Sequence, residues 1–194
     1  MQLIEKAIEM AEIYKQNSKV EAIILAGSVA RKLEDEHCIT SSVADGVSLY
    51  GKMKVNELKD RVAIYPEKLT NRMISENLWL SNRWHNREAL LKRNDWLMLY
   101  DVICEVQRDL FGVLFGLNKI YVHHPSFKWM SYNTERMNMK PTNLYERMTN
   151  ILIGNPERSV RELEILVQEV LELVRTYAPE CNIAEQQKRI QYAK

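Results

Sequence analysis

From residue 67 to residue 124 the chain has no proline and only two glycines, Gly112 and Gly116. These two residue types are the strongest local breaks in regular structure, so a stretch this free of them favours long helices. The remainder is nearly as sparing, with six glycines and five prolines among 194 residues. A hydrophobic share of 46% and a charged share of 27% are ordinary for a globular chain, and this length is enough to bury a core.

Apolar spacing fills in the elements. Leu3, Ile4, Ala7, Ile8, Ala11 and Tyr14 form a helical stripe over residues 3–17. Residues 20–26, VEAIILA, are a short apolar run rich in β-branched residues and stopped by Gly27, which predicts a buried strand. Val29 to Leu33 can open a second helix, and residues 34–46 are polar and irregular. VSLY (residues 47–50) suits one more short strand; Val55, Leu58 and Val62 suit a helix that must end before Pro66. Leu69, Met73 and Leu78 continue as another. Asn94 or Asp95 can cap a long helix to about Leu117, with a broad apolar face from Trp96 and Leu99 to Leu114. Residues 143–153 read as a shorter helix. Asn155-Pro156 then opens the clearest one, with Leu163, Leu166, Val167, Val170, Val174 and Tyr177 as its core stripe and Pro179 beyond its end. Trp79, Trp84, Trp96, Met73, Met98 and Met130 are expected in the core rather than in a cofactor box.

Charge and cysteine usage exclude some functions. A net charge of +1 and a pI near 7.7 demand neither a nucleic acid nor a membrane surface as partner. No apolar run approaches the roughly 18 residues that span a bilayer. Glu5, Glu9 and Glu12 interrupt the first apolar stretch, unlike a secretory signal, so a cytoplasmic location is expected. Cys38, Cys104 and Cys181 are far apart and form no CxxC pair, which argues for reduced, structural thiols.

The segment with chemical content is LAGSVAR, residues 25–31. A strand that ends in Gly27-Ser28 and turns into a helix presents free N–H groups and the positive end of the helix dipole, an arrangement suited to a triphosphate. Ser28 adds a hydroxyl, and Arg31 and Lys32 can offset phosphate charge. An ordinary strand-to-helix turn fits the same residues. The order helix, strand, Gly-Ser, helix and acidic LEDEH over residues 1–37 resembles the start of the polymerase β type nucleotidyltransferase superfamily. The resemblance implies transfer of a nucleoside monophosphate from an NTP to a hydroxyl of a small molecule, with Mg2+ held by an Asp-x-Asp or Asp-x-Glu pair about a dozen residues on. Those positions fall near Ile39 and Ser41, which cannot replace carboxylates on a hard cation. Glu34, Asp35 and Glu36 come too early, and Asp45 is a single later acid. The metal site is therefore expected to be lost, with no metal ligands to assign.

The chain from residue 46 onward is similar to the helical C-terminal part of uncharacterised nucleotidyltransferase-like proteins, comparable in role to the helical domain of kanamycin nucleotidyltransferase; WLSNRWHNREALLKRNDWLMLYDV and LFGLNKIYVHHPSFKWM carry that likeness. The expected fold class is mainly α with a small β element, the remnant of a nucleotidyltransferase α/β domain (residues 1–45) followed by a helical bundle (residues 46–194). The chain then reads as a family member shortened internally between about residues 38 and 45.

Within the long helix, Asp101, Glu105, Arg108 and Asp109 share one polar stripe. The resemblance implies that Asp101 or Glu105 can act as general base toward the acceptor hydroxyl; a solvent-facing, ion-paired stripe is the plainer reading. Tyr121, His123, His124, Phe127, Lys128 and Trp129 follow, and Lys128 with Trp129 can hold substrate by stacking and charge, or be a packed loop. The expected partners are NTP and a hydroxyl-bearing small molecule, with a homodimer open and neither a membrane nor a specific nucleic acid. The competing function is a non-catalytic helical binding or dimerisation module. A helical ribonuclease toxin is discounted, because Arg83 and His85 are only two apart where that family needs four to six.

Overall fold

The computed structural model describes residues 2–26, 43, 45–122 and 127–191. In chain order these form α1 (Gln2–Tyr14), β1 (Ile23–Leu25), β2 (Val47–Tyr50), α2 (Lys52–Ala63), α3 (Glu67–Asn77), α4 (Asn82–His85), α5 (Arg87–Arg93), α6 (Trp96–Leu117), α7 (Met130–Glu135), α8 (Leu144–Ile153), α9 (Pro156–Tyr177) and α10 (Ala184–Gln191). The fold is mainly α with one small antiparallel sheet. No helix among the described residues is long and apolar enough to cross a membrane. The chain divides into two compact units, Met1–Tyr65 and Pro66–Val122 with Ser126–Lys194.

In the first unit, β1 pairs antiparallel with β2: Ile24 faces Ser48, Leu25 faces Val47, and an irregularity separates them from the Ile23–Tyr50 pair. Gly51 sits at φ 65° between β2 and α2, and a Cβ there would lie 2.1 Å from the Glu21 carbonyl oxygen. Only glycine allows both the left-handed turn and that close approach. Among the described apolar side chains of this unit, Ala11 and Val55 are buried. The stripe expected on residues 3–17 behaves differently: the helix ends at Tyr14, and Leu3, Ile8 and Tyr14 are exposed.

The second unit is built around α6. Thirteen of its positions are buried, on one face from Leu99 to Gln107 and all round from Leu110 to Leu117, so neighbours enclose its C-terminal half while one polar stripe stays uncovered before it. Two glycines on α6 let α3 approach. A Cβ on Gly112 would lie 2.3 Å from Asn77 Oδ1, and one on Gly116 would lie 2.9 Å from Met73 Cβ. The C-terminus of α6 is tied down by Asn118, whose Nδ2 donates to the Leu114 and Met139 carbonyls while its Oδ1 accepts the Asn138 and Met139 N–H groups. Inside, Gln107 donates to the Met148 carbonyl at 2.9 Å, satisfying its buried amide across to α8. α9 starts as expected: Asn155 accepts the Arg158 N–H and Pro156 occupies the first turn. Arg147 of α8 is clamped by Glu162 and, through two parallel bonds, by Glu169 of α9.

Some expectations need correction. Trp84 and Met130 are buried, whereas Trp79, Trp96 and Met98 are exposed, because Trp96 and Met98 fall in the first turn of α6, before its neighbours cover it. Tyr177 is exposed at the last residue of α9 rather than in the core stripe. Two short helices, α4 and α5, occupy 82–93, where polar residues conceal the apolar spacing.

Candidate functional site

The Gly-Ser turn is approached but not entered. β1 ends at Leu25, two residues ahead of Gly27. Gly27, Ser28, Arg31 and Lys32 all lie outside the described residues, as do Glu34 to Glu36, Ile39 and Ser41. His123 and His124 fall outside them too.

The polar stripe on α6 is fully described, and its partners come from sequence-distant segments of the same unit. Arg83 Nη1 of α4 reaches Asp101 Oδ2 at 3.1 Å, both side chains well exposed. Such a pair contributes little to stability, since water screens it. Ser81 Oγ donates to Glu105 Oε2 at 3.0 Å and also accepts the Trp84 N–H as the cap of α4. One hydroxyl thus sets both the start of α4 and the position of the Glu105 carboxylate. Asp109, one turn beyond Glu105, has no hydrogen-bond or ion-pair partner among the described residues and is half-buried. Its carboxyl is pushed up to about 7, first by burial and then by the charge of Glu105, with Arg108 pulling the other way. Burial likewise raises the Cys104 thiol, and the charges of Arg108 and Asp101 oppose each other there.

A carboxyl that titrates near neutrality on a charged stripe is suited to accept a proton from a hydroxyl. Of the three acids, Asp101 is held by a guanidinium and Glu105 by a hydroxyl, while Asp109 is unengaged and partly desolvated. Sequence reasoning placed Asp109 on the stripe but assigned the base to its neighbours. The signal for it was local: it follows Glu105 by four residues and adjoins Leu110, which the core encloses.

Phe127 joins this region to the turn before α7. The Arg108 guanidinium lies 5.8 Å from the Phe127 ring centroid, and Phe127 meets Phe111 edge-on at 6.3 Å. Lys128 and Trp129 follow directly, both half-buried, with Lys128 Nζ 4.7 Å from the Trp129 ring centroid. Trp129 takes a left-handed conformation, φ 58°, at the start of α7, so the backbone turns sharply between the aromatic pair and the helix.

Among the described residues no group of three His, Cys, Asp or Glu side chains converges to hold a metal ion. On α6, Asp101 is engaged by Arg83 and Glu105 by Ser81.

No curated protein and no solved structure matches the chain. One family model does, over residues 33–130, so the match includes the α6 stripe, Lys128 and Trp129, but begins after the Gly-Ser turn and ends before α8 and α9. The match covers half of the sequence, and the chain belongs to the family described as Domain of unknown function (DUF4037).

Proposed function

We propose that this chain is a nucleotidyltransferase-like protein that retains triphosphate binding while transfer is impaired. The ancestral reaction moves a nucleoside monophosphate from NTP to the hydroxyl of a small molecule, forming an oxygen–phosphorus bond and releasing pyrophosphate. The observation that supports it is the order of elements leading to LAGSVAR: α1, then β1 ending at Leu25 beside Gly27-Ser28. Impairment follows from Ile39 and Ser41 at the positions of the carboxylate pair. Loss of such charge stabilisation commonly costs a factor of ~10^2 to 10^3 or more in rate. The cytoplasm, where NTP is available, is the compartment this reading requires.

Calorimetry of the full chain with ATP, in Mg2+ and in EDTA, tests the reading. Saturable binding at micromolar ATP that survives EDTA, and that Ser28→Ala weakens about three- to tenfold, is expected for a hydroxyl contact worth ~1 kcal/mol. Absence of heat, or binding indifferent to Ser28→Ala, would refute it.

A second reading, a helical binding or dimerisation module, draws on the exposed apolar side chains of α1, among them Leu3, Ile8, Met10 and Ile13. Light scattering on the eluted protein decides it: a monomer across a hundredfold concentration range argues against dimerisation.

A further inference from the structure

Tyr100 of α6 donates to the Gly154 carbonyl at 3.4 Å, so the turn from α5 into α6 and the turn from α8 into α9 lie side by side at one end of the second unit. The two most exposed large apolar side chains described in that unit fall on these turns: Leu97 is 91% exposed and Ile153 is 77% exposed. Leu97 precedes Tyr100 by three residues and Trp96 by four, which sets both on the Tyr100 side of α6. Ile153 adjoins Gly154, and Leu152 is exposed beside it. Single apolar residues on a surface need no explanation, but a set gathered from sequence-distant segments marks a contact surface.

The charges bordering this patch say what covers it. Lys92, Arg93 and Asp95 lie on the α5–α6 turn, where Asn94 reverses the chain at φ 55°. Glu157 and Arg158 lie on the first turn of α9. All five are exposed, and their side chains have no ion-pair or hydrogen-bond partner among the described residues. Each turn therefore carries both signs. An anionic lipid surface would attract the cations and repel Asp95 and Glu157, so it gains little here. A second copy gains from both signs. A two-fold axis sets the same patch against itself in reverse, so that the α5–α6 turn of one copy meets the α8–α9 turn of the other. Arg93 then faces Glu157, Asp95 faces Arg158, and Leu97 packs on Ile153, each contact made twice. An apolar centre containing a tryptophan, ringed by charge, is also the anatomy of protein interfaces.

We infer that the second unit forms a two-fold homodimer through this patch, with Trp96, Leu97, Leu152 and Ile153 at its centre. The surface is distinct from the triphosphate turn after β1 and from the exposed side chains of α1, so each can be tested apart.

Sedimentation velocity of the full chain over a hundredfold concentration range, in low salt, tests the inference. A monomer–dimer equilibrium is expected. Leu97→Ser combined with Ile153→Ser, at exposed positions outside the core, should raise the dissociation constant at least about tenfold. Asp95→Arg alone and Arg158→Asp alone should each weaken the dimer by about tenfold, because each sets like charges opposite one another. The double variant restores opposite charges across the axis and should return to near the wild-type constant. Ile13→Ser on α1 should leave the equilibrium unchanged. A monomer at every concentration, a dimer indifferent to the two serine substitutions, a double charge variant no tighter than the single ones, or a dimer broken by Ile13→Ser each overturns the inference.

Discussion

The close approach of α3 and α6 makes Gly116→Ala a quantitative test of the fold. Alanine in place of glycine inside a helix normally stabilises by about 0.8–1 kcal/mol. Here the new methyl would sit 2.9 Å from Met73 Cβ and 3.4 Å from both Ile74 Cγ1 and the Thr70 carbonyl oxygen. Met73 Cβ is fixed to the α3 backbone, so no rotamer change relieves the contact and α3 must back away by a few tenths of an ångström. Overpacking of this kind costs ~1–3 kcal/mol. Because the obstacle is rigid, the upper part of that range applies, leaving Gly116→Ala less stable than wild type by about 1–2 kcal/mol. Gly112→Ala meets a different obstacle, the Asn77 side chain, which donates from Nδ2 to the Met73 carbonyl at 2.7 Å. Asn77 can swing aside at the loss of one hydrogen bond, worth about 1 kcal/mol, which nearly cancels the helical gain. Asn77→Ala should therefore cost about 1 kcal/mol in wild type and in Gly116→Ala but almost nothing further in Gly112→Ala, a coupling read from urea unfolding of the single and double variants. Should Gly116→Ala match or exceed wild type with an unchanged m value, the helices do not meet as described and the reasoning fails.

Asp109 predicts a pH dependence. Its folded pKa, about 7, lies above the unfolded value near 3.9, so its neutral form favours folding; that contribution is complete below about pH 4 and is lost as pH rises through 7. Asp109→Asn should flatten this part of the stability curve and stabilise the protein above pH 7 by roughly 1–3 kcal/mol, measured by denaturant unfolding at pH 5 and pH 8. Arg147→Met removes the cation shared by Glu162 and Glu169 and leaves two half-buried carboxylates facing each other; a loss of about 2–3 kcal/mol is expected, below the 3–5 of a fully buried pair, and a melting temperature within a degree of wild type would contradict it. Asn155→Ala deletes the α9 cap and should cost about 1 kcal/mol, visible as a lower denaturation midpoint.

Punctuation made the long helices legible. Asn155-Pro156 marks the start of α9 in sequence and in structure, and the glycine-poor stretch before Leu117 is α6. What failed was the inference from apolar type to burial at element ends: Trp96, Met98 and Tyr177 keep the helical period, yet they lie at termini where no neighbour covers them. α4 and α5 were hidden for the opposite reason, since Trp84 and Leu90 are their sole fully buried apolar anchors among polar residues. The α6 stripe was legible because four-residue spacing on a helix is local geometry. Ser81 and Arg83, which hold two of its acids, were not, because folding brings them there from about twenty residues away.

Energetics also bear on which reading of α6 holds. A helix with thirteen buried positions has apolar residues available for every covered one, yet it carries Asp109 half-buried, with no ion-pair partner among the described residues and beside the like charge of Glu105. A purely structural stripe would pair that acid, as Asp101 is paired with Arg83, or replace it with asparagine at a gain in stability. Groups that destabilise the fold and titrate near neutrality concentrate where chemistry or recognition needs them. A stabilised Asp109→Asn that also loses interaction with a hydroxyl-bearing acceptor would mark the carboxyl as functional. Equal stability of the two forms at pH 8 would instead mean that the desolvation is small, and the stripe would reduce to a solvated, ion-paired face.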